Sequence, residues 1–185
     1  MSSPRHSRRF IFGVVLAGVT LAFSAHAAFS AAGSGDASFL AKGPAGLSIE
    51  GTGAGVTASE AGGKLTIVAK LSGLKTGIDL RDDHLKKALD VGKYPNATLT
   101  IERSKLNLPA DGKALESSGI GDLTLHGVTK PTKFFYKATR TGSDYDVQGR
   151  IEVDVTEFKI EPPSYLGVSV DKDVKVKTHF KVHDN

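Results

Sequence analysis

Apolar and polar residues alternate along most of the chain after residue 37, which is typical of strands that bury one face. In residues 174–182, for example, valines alternate with lysines and with His179. Turn residues such as glycine and proline separate the alternating runs. The predicted strands cover residues 38–41, 47–51, 64–71, 97–101, 123–125, 133–139, 147–155 and 174–182. Short strands separated by turns favour a sandwich or a barrel, and about eight antiparallel strands close into a barrel that is either filled or holds one slender ligand.

Residues 82–89 break this alternation and predict one short helix. Two aspartates open the segment and two lysines follow, which complements the helix dipole. Leu85, Ala88 and Leu89 share one apolar face at helical spacing. A glycine and then Pro95 follow and prevent the helix from continuing.

The first 27 residues have the three parts of a secretory signal peptide. Arginines come first, the apolar segment 10–23 follows, and small residues end at Ala27, where we expect cleavage. The apolar segment has 14 residues, fewer than the ~20 that a spanning helix needs. Two adjacent arginines leave both the general secretory route and twin-arginine export open. Residues 28–36 are small and predict a flexible leader, so the domain is expected over residues 37–185.

Charge and composition exclude several functions. The whole chain has a net charge of +4, and loss of its three leader arginines would leave +1. A nucleic-acid-binding protein should keep a strongly basic folded part, and this chain would not. It has no cysteine, so it forms no disulfide and offers no thiol for lipid attachment. Together with the signal peptide, these features predict an exported protein with no stable membrane span after cleavage.

Three segments in order carry a family resemblance: Leu80–Leu85 (LRDDHL), Lys93–Leu99 (KYPNATL) and Leu123–Pro131 (LTLHGVTKP). Together they resemble the hallmark segments of the YceI-like family of bacterial periplasmic proteins. The resemblance runs from about Phe39 to the C-terminus and includes residues 163–168. It implies an all-β, extended lipocalin-like antiparallel barrel with one short helix, whose apolar lumen receives a polyisoprenoid or a similar long-chain amphiphile.

The apolar faces of the predicted strands supply the candidate lipid-binding residues of the lumen. From the residues alone, these side chains could equally pack against each other in a dry core, and the resemblance favours a tunnel. The candidates are Leu65, Ile67, Leu99, Ile101, Leu123, Leu125, Phe134, Tyr136, Ile151, Val153, Val174, Val176 and Phe180.

Five residues of the hallmark segments are candidates for contact with a lipid head group: Arg81, Asp82, His84, Tyr94 and His126. Each also has a local structural interpretation, as an ion pair at the helix start, a bond to backbone or a turn. No phosphate loop, Gly-x-Ser-x-Gly or His-Glu-x-x-His motif occurs. The chain is therefore predicted to have no catalytic residue, no metal and no cofactor.

The predicted function is that of a periplasmic carrier for a long apolar lipid, such as a polyisoprenoid or an isoprenoid quinone. The alternative is a non-catalytic structural or stress-response interaction module with a filled core. The strand pattern also leaves room for a homodimer.

Overall fold

A computed structural model describes residues 28–165 and 168–185 of the chain, and the expected signal peptide lies outside them. The strands of this part are β1 (Phe29–Ala31), β2 (Gly35–Lys42), β3 (Ser48–Ala61), β4 (Lys64–Lys70), β5 (Asn96–Glu102), β6 (Ala114–Leu125), β7 (Val128–Thr141), β8 (Asp144–Asp154), β9 (Ser164–Tyr165), β10 (Val168–Ser169) and β11 (Asp173–Asp184). The helix α1 spans Asp79–Ala88. Short 3-10 turns cover Pro44–Gly46, Leu71–Gly73, Arg103–Lys105 and Val155–Phe158.

Eight of these strands form a closed antiparallel barrel. Strands β2 to β8 follow each other in order, and β11 pairs with both β8 and β2 to complete the ring. Closure leaves the ring without a free edge, and the alternating side chains then point either into the lumen or to solvent. The predicted all-β barrel of about eight strands with one short helix is confirmed.

The connections divide the barrel into two ends. At the mouth end lie residues 43–47, the segment 71–95 that carries α1, and the long connection 155–172. At the floor end lie the turn at residues 62–63, the segment 103–113 and the last residues of β11. Every strand of the ring therefore runs between these two ends, and the two longest connections, 71–95 and 155–172, both lie at the mouth.

Residues 28–36 differ from the flexible leader that the sequence predicts. Strand β1 pairs with the end of β11, with Phe29 opposite Asp184, and lies end to end with β2 along that strand. Phe29 is only 3% exposed, and its ring meets that of Tyr145 edge-on at 5.3 Å between centroids. One buried aromatic side chain thus fixes a segment whose other residues are small.

Strands β3 and β6 extend well beyond their predicted lengths because small residues hide their alternation. In β3, the inward residues Val56 and Ala58 are buried, although glycines precede them. In β6, a Cβ on Gly119 would lie 2.7 Å from the Phe134 ring, and one on Gly121 would lie 2.9 Å from Ile101. Neighbouring side chains already occupy the space above these glycines, so no large apolar residue stands at these two positions and the alternation is lost in the sequence.

Helix α1 begins at Asp79, three residues before the predicted start at residue 82, and ends at Ala88, one residue before the predicted end at residue 89. Ile78 lies at the N-cap position and makes no side-chain capping bond. The Asp82 carboxylate instead accepts hydrogen bonds from the backbone amide and the hydroxyl of Thr76, both at 2.6 Å, and so fixes the segment that leads into the helix. Within residues 28–165 and 168–185, no helix has the length and apolarity to cross a membrane.

Candidate functional site: an apolar tunnel

An outer cavity of about 800 Å³ lies at the mouth end of the barrel, beside α1. Its walls are mostly aliphatic side chains from the strands, together with Leu85, Ala88 and Leu89 from the predicted apolar face of the helix. This volume is within the range of ~300–1,000 Å³ that small-molecule pockets usually have. The described part of the chain therefore does not have a filled core.

A smaller inner cavity of about 130 Å³ continues toward the floor end. Its walls are again apolar, and they include Phe29, Tyr145 and Phe180. The two cavities share the lining residues Ala69, Ala97, Leu123, Ile151 and Val176. They are therefore neighbours along the barrel axis, and we call the two cavities together the tunnel.

Two alanines lie at the neck where the cavities meet. Ala69 of β4 and Ala97 of β5 are direct cross-strand partners, and both line both cavities. Facing side chains in an antiparallel pair have Cβ atoms only ~4.5–5.5 Å apart, so two large residues here would project together into the lumen. The small side chains therefore leave more room between the two cavities than larger residues would.

The structure places all thirteen candidate lumen residues on the tunnel wall. Leu125, Val153 and Val174 line the outer cavity only, and Leu123, Ile151 and Val176 line both. The remaining seven line the inner cavity. Phe134 is buried and Tyr136 half-buried, whereas Phe135 between them is 40% exposed, as alternation across a sheet requires.

The five head-group candidates separate into two groups. Arg81 and His84 line the outer cavity at α1. Asp82 is buried, and one of its oxygens accepts both bonds from Thr76. The hydroxyl bond and then the amide bond from Thr76 lower the pKa of the Asp82 carboxyl, which keeps it ionised beside the two cavity-lining residues.

Tyr94 and His126 contact each other at the mouth end of the barrel. Their rings meet edge-on at 4.8 Å between centroids, and the His126 Nδ1–H donates to the carbonyl of Phe158 at 3.1 Å. Gly127 lies directly beneath the Tyr94 ring, with a positive φ of 75°. This cluster ties the turn between β6 and β7 to the start of β5 and to the 3-10 turn after β8.

At the floor end of the tunnel, Phe29 packs beside an ion cluster, and we call Phe29, Glu60, Arg103, Tyr145 and Asp184 the floor cluster. Arg103 donates to Glu60 and to Asp184, both at 2.7 Å, and its guanidinium lies 4.1 Å from the centroid of the Phe29 ring. Asp184 is the larger cause and Glu60 a further cause of a raised pKa of Arg103. The Phe29 amide also donates to Glu60 at 3.1 Å.

The long connection at the mouth is held by an exposed polar contact. Asp154 accepts from Lys172 at 2.6 Å and from the amide of Thr156 at 3.0 Å. The bond from Lys172, followed by that from Thr156, lowers the pKa of Asp154 to about 2. This contact joins the end of β8 to the residues just before β11.

Two features of the tunnel were not among the sequence candidates. The neck alanines Ala69 and Ala97 fall in register with the apolar residues of their strands, and their small size at matched positions was the available signal. Phe29 was hidden in the small-residue segment 28–36, where a single aromatic residue was the only sign of a buried strand.

Comparison with known proteins connects this geometry to a family. The sequence model of the YceI-like domain matches residues 17–182. A UPF0312 protein of Yersinia enterocolitica is 40% identical over 83 residues, which cover 44% of this chain and 40% of that protein. One from Pseudomonas putida W619 is 33% identical over 126 residues, which cover 62% of this chain and 61% of that protein. The matches thus span about two fifths to three fifths of these relatives.

Two solved structures share the fold. A polyisoprenoid binding domain from Saccharophagus degradans, implicated in plant cell wall breakdown, superposes with a TM-score of 0.69 at 17% identity, covering 86% of this chain and all of that one. Burkholderia cenocepacia BcnA superposes with a TM-score of 0.58 at 18% identity, covering 80% of this chain and 95% of that one. The barrel, the hallmark segments and the match over most of the sequence show that the chain belongs to the YceI-like domain family.

Proposed function

We propose that the protein is a periplasmic carrier that holds a long apolar lipid, such as a polyisoprenoid or an isoprenoid quinone, and performs no chemistry on it. The observation that carries the proposal is the pair of neighbouring apolar cavities inside the barrel, which share five lining residues. The name of the Saccharophagus degradans domain adds support, because that domain has the same fold and is described as polyisoprenoid binding.

The energetics of burial favour a chain-like ligand. Each methylene removed from water is worth ~0.8 kcal/mol, so about a dozen carbons would contribute roughly 10 kcal/mol. Association costs an estimated 4–15 kcal/mol in lost freedom, which a chain of this length can offset. An aliphatic wall distinguishes poorly between lipids that differ by a methylene, so the lumen would select a long, slender and apolar molecule rather than one particular compound.

The proposed arrangement places the tail in the tunnel and the polar end at the mouth. Arg81 and His84 are the charged or titratable members of the hallmark segments that line the outer cavity. Both lie on α1, beside the opening, so they are positioned to meet a polar head group. Asp82, Tyr94 and His126 would not contact the head group themselves, but would hold α1 and the neighbouring turns in position.

Mass spectrometry of bound lipid tests the proposal. The exported protein is purified without detergent from a bacterial host and extracted with organic solvent. We expect close to one long-chain isoprenoid per protein molecule. Repeated recovery of protein without lipid, together with failure of the extracted protein to take up added polyprenol or quinone, would contradict the proposal.

Blocking the neck gives a second test with a matched control. Ala69→Phe inserts a ring where the two cavities meet, whereas Val68→Phe places the same ring on the outer face of the same strand. We expect Ala69→Phe to exclude long chains and leave short ones bound, and Val68→Phe to bind both. Thermal unfolding of both variants shows whether each remains folded.

A further inference from the structure

We propose that the mouth end docks on the surface of a lipid bilayer through an aliphatic rim formed by Leu47, Ile78 and Leu80. The inference rests on the proposed function, since docking gives the bound lipid a path that avoids water. The rim joins the start of β3 to the start of α1, so two separate connections contribute to it.

The rim side chains are unusually exposed for their type. Leu80 is 67% exposed and Ile78 is 53% exposed, and Leu47 is exposed as well. Single exposed aliphatic residues are common on protein surfaces and need no explanation. Here the three residues border the same opening, because all of them line the outer cavity.

The residue at the start of α1 does not serve helix stability. Ile78 occupies the N-cap, where serine, threonine, aspartate and asparagine are strongly preferred and isoleucine is among the poorest residues. It makes no capping bond. A polar residue at this position would stabilise the helix by ~1 kcal/mol and its side chain would interact favourably with water. The exposed isoleucine therefore fits contact with an apolar phase better than contact with water.

The rim is continuous with the tunnel, and this continuity favours a bilayer over a protein partner. A lipid that left the mouth into water would expose its tail, at a free-energy cost of ~0.8 kcal/mol for each methylene. If the rim enters the boundary between head groups and acyl chains, as interfacial anchors do, the tail moves directly between two apolar surroundings. The rim residues then form part of the path as well as the anchor.

The charges near the rim suit a weakly anionic surface. Lys75 and Lys87 are exposed and Arg81 lines the opening. Among the aspartates of α1, Asp82 is buried and accepts a hydrogen bond from Thr76. Residues 75–87 together carry a formal charge of +1, so apolar contact should dominate the binding and salt should weaken it only slightly.

Co-sedimentation with vesicles of phosphatidylethanolamine and phosphatidylglycerol tests the docking surface. The double variant Ile78→Ser/Leu80→Ser removes two rim residues and places a favoured residue at the N-cap. Ile120→Ser is the control, because Ile120 is 65% exposed on the barrel wall in β6, away from the mouth. We expect the double variant to bind vesicles at least roughly tenfold more weakly, since a partly inserted aliphatic side chain is worth on the order of 1.4 kcal/mol, and the control to bind like the unmodified protein.

The outcomes separate docking from lipid carriage. Lipid content is measured on the same samples by mass spectrometry, and vesicle binding is also compared after solvent extraction of all three proteins, because Ile78 and Leu80 line the outer cavity and their loss can change the amount of bound lipid. Vesicle binding that is equal in all three proteins would overturn the docking surface, even if each carries lipid. Protein that holds no lipid but still needs Ile78 and Leu80 for vesicle binding would support docking and contradict the carrier. Conversion from dimer to monomer by the double variant, without vesicles, would assign the rim to self-association and overturn docking.

Discussion

The two ends of the barrel are built in opposite ways. The floor is built from interlocking, largely buried groups: the Phe29 ring packs on Tyr145, and Arg103 bridges Glu60 and Asp184 at 2.7 Å. The mouth is bordered by exposed aliphatic residues and by long connections. Individual polar contacts hold these connections in place, such as Thr76 with Asp82 and Lys172 with Asp154. Stability and binding are therefore expected to depend on different ends of one molecule.

The difference follows from what each end must exclude. Water that reached the inner cavity from the floor would hydrate an apolar lumen, so the floor is built from side chains that interlock. An opening for a lipid has to remain accessible, and the outer cavity is accordingly the larger one, at about 800 Å³ against about 130 Å³. Substitutions at the floor should change the free energy of unfolding, and those at the mouth should chiefly change lipid exchange.

The largest expected effect on stability comes from Arg103→Met. It leaves two carboxylates facing each other, and the Glu60 side chain is only 3% exposed. Removing one partner of a buried ion pair costs ~3–5 kcal/mol, and we expect about 4 kcal/mol in chemical denaturation. Lys105→Met, which removes the exposed pair with Glu102, is the control and should cost less than about 1 kcal/mol. Equal effects would show that the floor is not the stabilising end.

Phe29→Ala should rank next. Truncation of a buried phenylalanine costs ~3–5 kcal/mol, and we expect about 3 kcal/mol because neighbouring small residues allow some collapse. Since Phe29 lines the inner cavity, its removal also lengthens the tunnel. On the proposed function, the bound lipids should shift toward longer chains in mass spectra. Ile120→Ala, at an exposed position of β6 that lines neither cavity, should leave chain length unchanged, and the same distribution in both variants would show that Phe29 does not limit the tunnel.

The sequence predicts the wall of the barrel better than its two ends. Strands such as β8 and β11 alternate large apolar residues with polar ones, so their inward residues can be identified directly. The floor cluster joins Phe29, Glu60, Arg103 and Asp184 from distant parts of the chain, and no local pattern marks such a contact. Whether the lumen is open depends on side-chain volumes across strands, as at Ala69 and Ala97, and a single-strand pattern does not contain that information.

A smaller effect is expected from Gly127→Ala at the mouth end. Gly127 has a φ of 75°, and a Cβ there would lie 2.6 Å from the Tyr94 ring. Gly142 at the floor end has a φ of 61° with nothing within 4 Å of a Cβ. Gly142→Ala therefore measures the backbone strain alone, on the order of 1 kcal/mol. We expect Gly127→Ala to cost about 1 kcal/mol more in thermal unfolding; equal costs would mean that the Tyr94 ring moves aside freely.

The smallest effect should come from Asp154, whose contacts hold the mouth connection at the surface. Its pKa is lowered from 3.8 to about 2, chiefly by Lys172. A carboxyl with a lowered pKa stabilises the folded state above its ordinary pKa and loses that contribution as the pH falls toward the folded value. The stability difference between the unmodified protein and Asp154→Asn should therefore be full above about pH 5 and shrink between about pH 4 and pH 2.

Lys172→Met distinguishes this contact from a general response to acid. Without the ammonium group, the pKa of Asp154 should rise toward its ordinary value, although the bonds from Thr156 keep it somewhat low. A carboxyl titration by NMR gives this pKa directly. If Asp154 titrates near 4 in the unmodified protein, the contact does not hold the connection in solution. The mouth would then rest on the Tyr94–His126 cluster and the Thr76–Asp82 bonds, and the contrast between the ion pairs of the floor and a loosely tied mouth would be sharper still.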